Sequence, residues 1–289
     1  MPAATSPGTR DKPPTPASLL KRYGLKAKKG LGQHFLNDFS LARRIVQVSG
    51  LPPGKTVVEL GAGLGTLTLA LAEKAARVIA FELDETLIQI LEKEKFLPPN
   101  VELRRADILK LDYLALAREL GQPFVLFGNL PYYLSSRLLY KLIEEREAFN
   151  WAVFMFQKEV AERLLAAPGT KDYGPLTVYL KLTAEVQRLM NLPPGCFYPA
   201  PEVHSTVVKI TIKQRPPLPQ EEALKNLLKI AFSSRRKKLV KNLAALGLKK
   251  EELKKILVAL GLPENVRAEE IPPEKFLALA QHLGPLKAW

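Results

Sequence analysis

The residues best placed to do chemistry are Asn129-Leu130-Pro131-Tyr132, which follow Gly128 at the end of the apolar run Phe124–Phe127. They suit methylation of an exocyclic amine on a base such as adenine. That nitrogen is a poor nucleophile because its lone pair is delocalised into the ring. A site helps by accepting hydrogen bonds from the amine hydrogens, which favours a pyramidal nitrogen. The side-chain oxygen of Asn129 and the main-chain carbonyl of Leu130 are such acceptors. Pro131 fixes the backbone that carries them, and the ring of Tyr132 is suited to stacking on an extruded base. Taken alone, the same tetrapeptide also serves as a turn that ends a strand on a packed tyrosine. Its neighbours decide between the two.

The first neighbour is Glu59-Leu-Gly61-Ala-Gly63-Leu-Gly65, directly after the β-branched run Thr56–Leu60. Gly61 and Gly63 let a ligand lie against bare backbone, and the helix that starts near Gly65 points its N–H groups at it. A dinucleotide fingerprint needs another glycine three residues beyond the second. Thr66 stands there, which disfavours NAD and FAD. Glu82 closes the next strand at the spacing of a ribose acceptor (about 20 residues past the glycines), and Asp84 is the better helix cap. Asp107, after the third strand, is placed to accept from the amine of a bound adenine. Phe197, in the proline-spaced run 196–205, is a candidate to close the other face of the target base. His34 reads first as a core or capping histidine. His34, His204 and His282 are scattered, so no metal site is expected. The single cysteine, Cys196, has no telling histidine partner and excludes an intramolecular disulfide.

Parallel βαβ units position these residues. Strands are expected at Thr56–Leu60, Arg77–Phe81, Val101–Arg104, Phe124–Phe127 and Ala152–Phe156, alternating with helices, and Val203–Ile212 reads as an edge strand. Residues 213–219 read as a linker. Beyond it lie four expected helices, at 220–233, 236–246, 249–260 and 273–283. The Pro-rich residues 1–18 are expected to lack fixed structure, and the basic stretch 19–29 to order on a partner. The net charge of +14 is uneven: residues 1–38 carry seven Lys or Arg and two acids, residues 213–289 sixteen and eight, and the stretch between them 20 and 19. A near-neutral body with basic flanks suits a polyanionic partner. No apolar run reaches the roughly 18 residues of a membrane span, and the default location is the cytoplasm.

With these residues in view, the chain resembles the ribosomal RNA adenine dimethyltransferases, small-subunit branch. The likeness rests on GQHFLND (32–38), ELGAGLGTLT (59–68), FELD (81–84), AD (106–107), GNLPYYLSS (128–136), QKEVAERL (157–164), FYPAPEVHS (197–205) and AFSSRRKKLVKNL (231–243). Tyr133 departs from the Asn or His usual after NLPY. The resemblance implies an α/β fold: a Rossmann-like class I methyltransferase domain (31–214) with a small all-helical C-terminal domain (215–289), after a basic extension (1–30). It implies S-adenosylmethionine held by His34, Leu36, Gly61, Gly63, Glu82, Asp107 and Asn129, with Asn129, Leu130, Pro131, Tyr132 and Phe197 around the target. Arg235, Arg236, Lys237 and Lys238 would bind RNA. The implied substrate is a pair of adjacent adenines near the 3′ end of 16S rRNA in the assembling 30S subunit, each dimethylated by a monomeric enzyme. Rival readings are a large-subunit (23S) rRNA adenine methyltransferase of the antibiotic-resistance type, a non-catalytic rRNA-binding assembly factor and a DNA adenine methyltransferase.

Overall fold

A computed structural model describes residues 13–28, 30, 32–213 and 217–284, with the side chain of Tyr132 outside that description. Nine strands form among the described residues: β1 (Phe35–Leu36), β2 (Thr56–Leu60), β3 (Arg77–Glu82), β4 (Val101–Arg105), β5 (Phe124–Asn129), β6 (Phe149–Gln157), β7 (Ala184–Leu192), β8 (Phe197–Tyr198) and β9 (Ser205–Ile212). Seven of them make one sheet in the order β4-β3-β2-β5-β6-β9-β7. Neighbours from β4 to β6 are parallel, while β9 runs antiparallel to both β6 and β7. The chain leaves β2 towards β4, returns to β5 beside β2, and continues outward to β6. The order therefore reverses between β2 and β5. In an open α/β sheet, that reversal opens a crevice at the carboxyl ends of the two strands, where ligands bind.

The helices are α1 (Pro16–Arg22), α2 (Phe39–Val48), α3 (Thr66–Ala72), α4 (Glu85–Glu94), α5 (Tyr113–Glu119), α6 (Ser135–Glu144), α7 (Lys158–Leu165), α8 (Pro175–Thr183), α9 (Glu221–Ala231), α10 (Leu239–Leu243), α11 (Lys250–Ala259) and α12 (Pro273–Leu283). One sheet face packs Val57, Ala80, Phe127 and Met155 under α2 and α3. The other packs Val58, Leu60 and Phe154 in a cluster that runs without a seam into Leu224, Leu227 and Phe276 of the C-terminal helices. At this junction Arg146, 2% exposed, forms a 2.7 Å ion pair with Glu221. The Tyr179 hydroxyl donates to the same carboxylate. Among the described residues no helix is long and apolar enough to cross a membrane.

Three expectations are corrected. The strand at 205–212 is not at the edge, because β7 pairs with it along its whole length and forms the edge itself. The expected helix at 236–246 starts only at Leu239. Asn242 donates to the carbonyls of Ala231 (2.6 Å) and Ser234 (3.0 Å), which holds residues 235–238 in a turn. The extension over 1–30 is ordered from Pro16 to Arg22. Thr15 caps the helix with Pro16 at its first position, and Leu19 and Leu20 are buried against Phe35, Leu64, Leu87 and Ile90. Residues 1–12 lie outside the described part.

A candidate active site at the sheet's switch point

The turn after β2 is held by its neighbours. Gly63 has φ +57°, and a Cβ there would stand 3.0 Å from the Phe35 ring. Its N–H donates to Glu82 Oε2 at 2.8 Å, while Glu82 Oε1 accepts from the amides of Leu83 and Asp84. A carboxylate has about four acceptor sites, so Glu82 can still take a ligand hydroxyl after ordering the loop. Asp84 caps α4 through Thr86 N, as its position in the sequence implies. It also binds Lys28 Nζ (2.8 Å) and Gln33 Nε2 (2.9 Å). Burial alone would raise its carboxyl, but these three donors outweigh burial and hold it below the usual range. Sequence reasoning did not single out Lys28 and Gln33, whose partner is 56 and 51 residues away. Together they tie residues 28 and 33 to the start of α4.

Asp107 stands two residues beyond β4, half-buried, and accepts from Leu109 N at 2.9 Å. Asn129 ends β5, and its Nδ2 donates to the His34 carbonyl at 2.7 Å. A carbonyl can only accept, so this contact sets the amide orientation and turns Oδ1 away from His34. By the same logic His34 Nδ1 carries a proton and donates to the Pro199 carbonyl at 2.8 Å. The 197–199 loop is further tied to this segment by the antiparallel pairing of β1 with β8. Gly128, one residue before Asn129, has no room for a side chain. A Cβ there would lie 2.7 Å from the Leu60 carbonyl of β2.

One cleft of about 970 Å³, counted to its open mouth, is lined by His34, Leu36, Gly61, Gly63, Glu82, Asp107, Asn129, Leu130 and Pro131. These are the expected cofactor residues and three of the five expected around the target. Tyr132 is placed there by sequence, but its side chain lies outside the described structure. Phe197 is not brought to the cleft. It is 3% exposed and packs with Leu36, Leu192 and Val207, so the role of closing the base does not fit the position it occupies. Among the described side chains, the aromatic exposed at the cleft is Tyr133, which is 58% exposed beside Gly32 and Pro131. Burial pushes the half-buried Cys196 thiol up, away from thiolate chemistry.

The basic run also divides. Arg235 donates to the Tyr173 carbonyl at 2.9 Å and pairs with Glu269, bracing the junction of sheet and tail. Arg236, Lys237 and Lys238 line a separate surface cleft, joined there by Lys241 and Arg267 from later segments.

Comparison with known proteins agrees with this geometry. A family model described as ribosomal RNA adenine dimethylase matches residues 24–284. The chain is 40% identical over 272 residues to ribosomal RNA small subunit methyltransferase A of Syntrophus aciditrophicus, covering 92% of this chain and 97% of that one. It is 39% identical over 277 residues to the protein of the same name from Geobacillus kaustophilus, covering 93% and 94%. Among solved structures, a dimethyladenosine transferase from Plasmodium falciparum superposes with TM-score 0.75 at 30% identity, covering 86% of this chain and 97% of that one. The 23S rRNA methyltransferase ErmE does so with TM-score 0.65 at 25% identity, covering 86% and 99%. The fold is that of the class I methyltransferases, an α/β sheet followed by C-terminal helices. With 30–40% identity over most of its length and a family model spanning residues 24–284, this chain belongs to the ribosomal RNA adenine dimethylase family.

Proposed function

We propose that this cleft transfers methyl groups from S-adenosylmethionine to the N6 amines of two adjacent adenosines near the 3′ end of 16S rRNA. The chain acts as a cytoplasmic monomer on the assembling small subunit. The observation that carries this reading is the Asn129 amide, fixed by the His34 carbonyl at the switch point with its oxygen turned away as an acceptor. The names of the relatives favour the small subunit over the large one.

The residues suit the cofactor. Asp107, Glu82, Gly61 and Asn129 follow the strand order β4-β3-β2-β5 along one sheet edge. At a strand spacing of about 4.8 Å, that row is as long as an extended nucleoside with an attached arm. Asp107 accepts from the adenine amine and Glu82 from the ribose. The backbone at Gly61 and Gly63, with His34 and Leu36, encloses the ligand. The cofactor, when bound, supplies an electrophilic methyl group. Asn129 Oδ1 and the Leu130 carbonyl accept the hydrogens of the target amine and aim its lone pair, while Pro131 keeps both acceptors in place. No strong base is required, because the proton leaves after transfer. Tyr132 keeps the stacking role read from its type and position. Residues 31–214 carry the chemistry. Residues 215–289 carry the contacts with RNA, through Arg236, Lys237 and Lys238.

The test is transfer of a labelled methyl group to small subunits that lack the modification, with the modified nucleotides then mapped. Label in adjacent dimethyladenosines of 16S rRNA is the expected result. Label confined to large-subunit rRNA, or no transfer at all, overturns the proposal.

A further inference from the structure

Tyr133 presents its ring to solvent at the mouth of the cleft, and among the described residues its hydroxyl makes no hydrogen bond. A Cβ on Gly32 would stand 3.5 Å from the edge of that ring, so the bare backbone of Gly32 gives the ring room to rest there. A single exposed ring needs no explanation, but a stripe does. The turn after β5 runs directly into α6, which buries Leu138, Leu139, Leu142 and Ile143 against the body. The solvent side carries Tyr133, Ser136, Arg137 and Tyr140, at the i, i+3, i+4, i+7 spacing of one helix face. Tyr140 is 39% exposed. Beside it lies a surface groove of about 750 Å³, lined by Ser136, Tyr140, Arg163, Lys171, Asp172 and Arg235 among others, with three cations against one acid. Arg137 and Lys171 are exposed and make no ion pair among the described residues. Rings interleaved with cations are what holds single-stranded nucleic acid. The rings stack on bases whatever their sequence, and the cations follow the phosphates.

The substrate indicates which nucleotides. On the function proposed above, two adjacent adenosines are modified, and one cleft admits one of them at a time. The neighbouring base then lies one nucleotide from the cleft mouth, where Tyr133 stands. We propose that Tyr133 stacks on this neighbouring base, and that the single strand continues along the solvent face of α6, with Arg137 on a phosphate and Tyr140 under a further base. Tyr133 and Tyr140 are about 10 Å apart along the helix. That is about three stacked base steps of about 3.4 Å each. The strand passes the cleft in one direction, so in one of the two rounds the base on Tyr133 is the other adenosine. This face is distinct from the cleft of Arg236, Lys237 and Lys238, because it holds only the nucleotides beside the target. The proposal rests on the rRNA adenine reading.

A cycle of changes in protein and RNA tests it, with kcat/KM for labelled methyl transfer as the readout. Small subunits are reconstituted with a synthetic 3′ segment of 16S rRNA, either intact or with the first or the second of the two adenosines abasic. On intact subunits Tyr133→Ala should lower kcat/KM by about five- to a hundredfold, the scale of one lost stack between base and ring. Tyr133→Phe should transfer at the wild-type rate, because the hydroxyl has no partner to lose. In one of the two abasic subunits the penalty of Tyr133→Ala should vanish, because the base under the ring is already gone. Arg137→Ala should lower the log–log salt slope of subunit binding by about 0.7–0.9, the share of one phosphate. A penalty that persists in both abasic subunits, or no penalty on intact ones, overturns the assignment. So does weakened S-adenosylhomocysteine binding by Tyr133→Ala, which would make the ring part of the cofactor site. An unchanged salt slope in Arg137→Ala removes the path along α6. Normal transfer by a protein indifferent to Tyr133 sinks this inference alone, whereas no transfer by the wild type to intact subunits sinks the rRNA reading itself.

Discussion

The side-chain nitrogen of Asn129 and the main-chain oxygen of His34 are joined across 95 residues by a 2.7 Å hydrogen bond. The bond commits the one donor group of the asparagine to the protein and turns its acceptor away from His34, the acceptor that the proposed function assigns to the target amine. Asn129→Ala removes that acceptor. Methyl transfer should fall by about 10²–10³-fold or more, the scale seen when one preorganised group is lost from a transition state. Cofactor affinity should be largely kept. Transfer assays beside calorimetry separate the two effects, and wild-type turnover would remove the mechanism.

Glu82 orders the glycine turn and lines the cleft, where the proposed function makes it the ribose acceptor. In Glu82→Ala the amides of Gly63, Leu83 and Asp84 lose their acceptor, and a ribose would lose its own. Cofactor binding should weaken by at least about 2 kcal/mol, more than tenfold. An unchanged dissociation constant would contradict the assignment.

The Arg146–Glu221 pair should behave as a structural clamp. Its side chains are 3% and 13% exposed, so Arg146→Ala leaves a carboxylate largely out of water. Denaturant titration should show a loss of about 3–5 kcal/mol. Burial raises the Glu221 carboxyl, but Arg146, the Tyr179 hydroxyl and the Leu218 amide outweigh burial and hold it below the usual range. A depressed carboxyl stabilises the fold above its unfolded value, and that contribution fades as pH falls through the folded one. Glu221→Gln should therefore flatten the acid side of the stability profile and leave its alkaline side alone.

Charge reversal of Arg236, Lys237 and Lys238 should weaken binding to the small subunit and flatten its salt dependence. For every phosphate that is no longer neutralised, the log–log slope should drop by about 0.7–0.9. Arg235→Ala should instead lower thermal stability and keep the slope, because its partners are Tyr173 and Glu269. Identical slopes for the triple variant and the wild type would reduce the run to a solvated face.

β2, β3 and β5 were readable because each is a short, mostly apolar run that ends at or next to a glycine, acid or amide, and the candidate site residues stand at those ends; β4 was readable from Val101 and Leu103 alternating with charged residues. β7 was not, because Glu185, Gln187, Arg188 and Asn191 give an exposed strand the composition of a loop. α1 was hidden by prolines, which obscured two leucines whose partners are far away in sequence. Phe197 shows the limit of residue type, since an aromatic ring next to a site serves a core as readily as a base. The split between Arg235 and its neighbours depends on a turn set by Asn242, and nothing local announces it.

The seamless core under the C-terminal helices has a consequence for how substrates are chosen. On the function proposed above, a docking surface and amine acceptors that share one continuous core among the described residues would act as a gauge of fixed length, accepting an RNA whose anchoring helix and exposed adenines are as far apart as the tail and Asn129. Selection of this kind reads the shape reached by a folding particle. The same adenines in an unfolded or fully compacted RNA would fall outside the gauge, whatever the sequence around them.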